Sequence, residues 1–67
     1  MIRINVPAFK LETSSSEQTI THLDGFPIEP VTFKNVTSLG LGTVLVYPVD
    51  GGDAVVLKES SRVHLRV

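Results

Sequence analysis

The stretch Thr43–Lys58, TVLVYPVDGGDAVVLK, decides the fold class of this 67-residue chain. Two runs rich in β-branched residues, Thr43–Val49 and Ala54–Leu57, flank the polar loop Asp50-Gly51-Gly52-Asp53. Glycine supplies positive φ and aspartate bonds nearby backbone amides, so the arrangement predicts a β-hairpin. The first run is apolar on both faces, which predicts a central strand.

On the C-terminal side, Glu59–Ser61 turns the chain. Val63, Leu65 and Val67 then alternate with Arg62, His64 and Arg66, the period-2 pattern of a final strand. On the N-terminal side, Gly40-Leu41-Gly42 marks a bend, preceded by a strand over Val31–Thr37. Phe26-Pro27-Ile28-Glu29-Pro30 is extended, because each proline pushes its predecessor out of the helical region. It reads as an extended loop between two strands. Asp24-Gly25 is a turn signal, and residues 18–23 read as a strand. Ser14 and Glu17 have the spacing of a helix-capping box, but Thr19-Ile20-Thr21 favours the strand. Thr13–Ser16 reads as a flexible loop. Ile2, Ile4 and Val6 share one face of a half-buried first strand, opposite Arg3 and Asn5. The apolar phase then moves to Phe9 and Leu11, with Lys10 and Glu12 on the polar side. A bulge or bend at Pro7 would bring both sets to one core.

Ten valines and six threonines support the same reading, since branching at Cβ favours a pleated surface over a helix. The expected fold is all-β: a single small β-sandwich or partly open β-barrel of about six short, mostly antiparallel strands, forming one domain over residues 1–67.

Composition narrows the function classes. With no cysteine, neither disulfides nor a Cys-based zinc site can stiffen the chain. The formal charge of −1 argues against a nucleic-acid partner. No apolar run is long enough for a helical membrane span, and MIRINVPAFK lacks the apolar core of a secretion signal. The expectation is therefore no membrane partner and no secretory route.

Catalytic and metal chemistry need constellations, which the sequence does not spell out. His22 and His64 are potential bases or ligands, but they are not closely spaced in the chain, and no Gly-x-Ser-x-Gly elbow is present. Asp50–Asp53 lacks the distal glutamate of an EF-hand loop. Gly40-Leu-Gly42 opens a strand and not a phosphate-binding helix. Asn35-Val36-Thr37 matches a glycosylation sequon without a secretory context, and Pro27-x-x-Pro30 has the spacing of a polyproline ligand. The expectation is no enzyme activity, no cofactor and no metal.

Arg62, His64 and Arg66 form a positive stripe on one face of the last strand. On an edge strand such charges guard against unwanted pairing; they could also grip an acidic surface. A chain of this size without metals or disulfides is marginally stable alone. The function expected is a structural or interaction protein, homo-oligomeric, that stabilises or decorates a larger assembly of the capsid or tail kind. Its docking edges would be the N-terminal segment and the 62–67 strand, with Ile2, Ile4, Arg62, His64, Arg66 and Val67 as contact residues. The alternative is a small SH3-like or OB-like barrel that binds nucleic acid or an acidic ligand through the Arg62/His64/Arg66 face, aided by Lys58, Tyr47 or Phe33.

Overall fold

The computed structural model describes residues 1–67 and contains six strands and no α-helix. The strands are β1 (Ile2–Pro7), β2 (Gln18–Leu23), β3 (Phe26–Ser38), β4 (Thr43–Pro48), β5 (Val55–Lys58) and β6 (Arg62–Arg66). They form one sheet in the order β1-β6-β2-β3-β4-β5, with every pair antiparallel. This settles sandwich against barrel: there is no second sheet, and the single sheet curls around its own inner face without closing. The Cα radius of gyration, 10.6 Å, matches the ~11 Å expected for one compact domain of this length.

The meander β2-β3-β4-β5 follows from local turn chemistry. Asp24 and Gly25 take φ of 50° and 84°, a two-residue turn whose twist suits the flanking strands. Leu23 then pairs with Phe26. An alanine Cβ at Gly25 would meet no atom within 4 Å, so only the backbone opposes it. Gly25→Ala is therefore expected to destabilise the fold by about 1–2 kcal/mol, read as a lower midpoint in urea with an unchanged slope. Asp24 also fastens the hairpin to β6. Its N–H donates to Arg62 O at 2.7 Å, and its Oδ1 accepts from Arg62 N–H at 2.9 Å.

The expected hairpin over Thr43–Leu57 is present, with Val44 opposite Leu57 and Val46 opposite Val55. Asp50 Oδ1 accepts from Gly52 N–H at 2.8 Å, the side-chain-to-backbone bond anticipated for that loop. The first arm is not central, however. β4 is next to the edge strand β5, and the outward Leu45 and Tyr47 are only partly covered. Its two-sided apolarity reflects incomplete cover, not burial on both faces.

The core is Ala8, Leu11, Ile20, Phe33, Val44, Val46, Leu57, Val63 and Leu65. It draws on five strands and the short 3-10 turn Ala8–Lys10 that follows β1. That turn crosses the gap between the two edges: Ala8 N–H donates to Ser61 O and Phe9 N–H to Glu59 O. Here the expected alternation fails. Ala8 and Leu11 are buried while Phe9 is 58% exposed, because a 3-10 turn repeats every three residues and not every two.

Two further expectations change. Pro27–Pro30 is not a loop but belongs to the opening half of the 13-residue β3. β4 pairs with β3 only from Phe33 onward, so before Phe33 that flank of the strand needs no ladder donor and proline is tolerated. The Thr13–Ser16 segment is tied down rather than free. Ser14 N–H donates to Lys34 O, and Thr13 Oγ1 both donates to Val36 O and accepts from Val36 N–H.

Candidate functional site

The residues singled out on the last strand do share a face, but the strand is not an edge. β6 lies between β1 and β2, with Val63 and Leu65 buried inward and Arg62, His64 and Arg66 pointing outward. Edge protection therefore cannot be the role of the stripe. Nor are its three side chains equivalent. Arg62 Nη1 donates to Asn5 O at 3.2 Å. His64 packs against His22, its register partner on β2, with ring centroids 4.5 Å apart and planes at 31°.

The auxiliary residues of the alternative reading scatter. Phe33 is fully buried and offers no stacking surface. Lys58 sits on β5, at the other end of the strand order. Tyr47 is exposed on β4 opposite Asn35.

The true edge at this end is β1, and it departs from the expected alternation. Arg3 pairs with Leu65 and Val6 with Val63, so two residues, Ile4 and Asn5, stand opposite His64 alone. The bulge is thus at Ile4–Asn5 and not at Pro7; Asn5 takes φ 54°, a conformation asparagine tolerates better than most. The extra residue reverses the faces. Arg3 shares the inner side with Leu65, while Ile2 and Ile4 turn outward, 72% and 65% exposed. The half-buried face expected for Ile2, Ile4 and Val6 is realised only at Val6.

Val67 joins this edge, since its N–H donates to Met1 O and its O accepts from the Met1 ammonium. Met1, Ile2, Ile4 and Val67 are exposed apolar groups at this border, Ile2 and Ile4 on the outer face and Val67 beside Leu65 on the inner one. At the other border, β5 pairs only with β4 and carries no bulge; Val56 on it is 67% exposed.

Two surface concavities complete the picture. One, of about 440 Å³, lies between the proline half of β3 and the β4–β5 loop, lined by Glu29, Pro30, Thr32, Val49 and Asp50. The other, of about 640 Å³, is bounded by Arg3, Phe9, Lys10, Glu12, Gln18 and Leu65. Neither is lined by a histidine. No helix is long and apolar enough to cross a membrane.

Comparison with family models, with curated proteins and with solved structures finds no match.

Proposed function

We propose that this chain is a non-enzymatic structural or interaction protein. It associates with copies of itself, or with a larger assembly of the capsid or tail kind, through its apolar sheet edges. The observation that carries this reading is the distribution of apolar side chains. Nine form the core, while eleven large ones stay exposed, among them Met1, Ile2, Ile4 and Val67 at one border and Val56 at the other. Single exposed hydrophobes are ordinary; a group beside an unpaired strand edge is the mark of an interaction surface.

Backbone pairing supports the same conclusion. The chain has 34 backbone–backbone hydrogen bonds, against the ~45 expected for a domain of its length. Ladder partners are lacking at the outer borders of β1 and β5 and along one flank of β3 before Phe33. A strand added at either border would satisfy those groups and cover the adjacent side chains at once.

Sedimentation of the isolated protein between about 1 and 100 µM tests the reading, a range sensitive to contacts worth about 5–8 kcal/mol. The expected result is a mass well above the 7.3 kDa of one chain. A folded monomer across that range, with no affinity for large assemblies, overturns it.

A further inference from the structure

We propose that His22 and His64 form a two-histidine site for a divalent transition-metal ion on the outer face of the sheet. The residues are far apart in the chain but are register partners on adjacent antiparallel strands. Their ring centroids are 4.5 Å apart. An ion bound at about 2.0–2.1 Å to each of two imidazole nitrogens holds those nitrogens only about 3 Å apart. Directly opposed residues on antiparallel strands have Cβ atoms about 4.5–5.5 Å apart, a span that two imidazoles turned toward one ion can bridge.

The surroundings of His22 point to a ligand role. Thr21 Oγ1 lies 3.0 Å from His22 Nδ1. When Nδ1–H donates to that hydroxyl, the lone pair falls on Nε2 and the ring is held in place. Metal-bound histidines ordinarily have such an outer partner. His64 makes no hydrogen bond through its ring, so either of its nitrogens can turn to the ion. Both side chains are half-buried, which leaves part of each ring open to an ion and its waters.

The cross-strand neighbours are Pro27 on β3 and the Ile4–Asn5 bulge on β1, none of them charged. Arg62 and Arg66 oppose a cation. They lie two residues along β6 from His64, roughly 6.5–7 Å, and Arg62 donates to Asn5 O in the bulge opposite His64, which keeps its charge near the site. The high dielectric of the exposed face weakens that repulsion, although the charges lie within a Debye length of the site.

No cluster of three or more His, Asp or Glu residues exists in the fold, so water completes the coordination. Two imidazoles without a carboxylate select nitrogen-seeking ions, with Cu²⁺ bound more tightly than Ni²⁺ or Zn²⁺, and they offer Mg²⁺ and Ca²⁺ nothing. Binding at this site does not depend on self-association.

Thermal unfolding with added CuCl₂, NiCl₂, ZnCl₂ or MgCl₂ tests the proposal. An ion present at about a hundred times its dissociation constant raises the folded-to-unfolded ratio about a hundredfold. Cu²⁺, Ni²⁺ and Zn²⁺ should therefore raise the midpoint, and Mg²⁺ should leave it unchanged. His22→Phe and His64→Phe each keep an aromatic ring in the contact and remove one ligand, so each should lose the rise. Thr21→Val should bind about tenfold more weakly. Electron paramagnetic resonance of Cu²⁺ on the unaltered chain should show two equatorial imidazole nitrogens, which keeps the test decisive if a variant fails to fold. The proposal is overturned if no ion raises the midpoint, if a folded single variant keeps the full rise, or if the copper spectrum lacks two nitrogens.

Discussion

Replacing Phe33 by alanine is expected to leave the chain unfolded in dilute buffer. The ring is fully buried, and its strand is paired on both sides, with Gln18 of β2 and Pro48 of β4 as register partners. Truncating a buried phenylalanine costs about 3–5 kcal/mol, in transfer free energy and in the cavity left behind. A core of this size rarely supplies more than about 3–5 kcal/mol of net stability. The loss equals or exceeds what is available. Circular dichroism and amide-proton dispersion should therefore show a disordered chain, while Val56→Ala, at a position 67% exposed, stays within about 0.5 kcal/mol of the parent. A cooperative urea transition in Phe33→Ala at the parent midpoint would mean that the core is not organised around this ring.

The second large effect is expected at the β1 border. Ile2→Asp combined with Ile4→Asp should reduce the protein to a 7.3 kDa monomer with its β-sheet spectrum intact. Each isoleucine covered in a contact contributes about 1.5–3 kcal/mol. The pair is thus worth at least about 3 kcal/mol, more than a hundredfold in the association constant, before the penalty of burying two carboxylates. Both side chains point outward and are mostly exposed, so the fold itself should not suffer. Sedimentation and circular dichroism on the same samples separate the two readouts. If the double variant keeps the parent mass, β1 is not the contact and the bulge-free β5 border is the remaining candidate.

The strands were legible wherever the signal was local. Asp24-Gly25 dictates its turn because only a few residue types accept positive φ, and the hairpin over Thr43–Leu57 follows from a glycine-rich loop between β-branched runs. The alternation of Val63 and Leu65 with Arg62, His64 and Arg66 gave the correct inner and outer faces of β6. At β1 the same kind of alternation misled. Ile2, Ile4 and Val6 look like one face, yet a single extra residue at Ile4–Asn5 transfers the isoleucines to the other side. Period-2 reasoning has no tolerance for a bulge, and nothing in IRINVP announces one as plainly as its proline.

The candidate site divides in the same way. The sequence singled out both histidines and the arginine stripe but kept them apart. Adjacency of His22 and His64 depends on β6 returning beside β2, a pairing between distant segments that no local spacing encodes. That return also makes β1 an edge and places the arginine stripe on an interior strand.

From its residues alone, this chain was bound to fold as β-structure with its turns at Asp24-Gly25, Gly40–Gly42 and Asp50–Asp53. Backbone conformational preference and Cβ branching act within a few residues, and they suffice for that much. Strand order, the exposed border and the histidine contact were decided only by the tertiary structure. They depend on which distant segments share the burial of Phe33, Ile20 and Val63, a collective free energy that belongs to no short stretch of the chain.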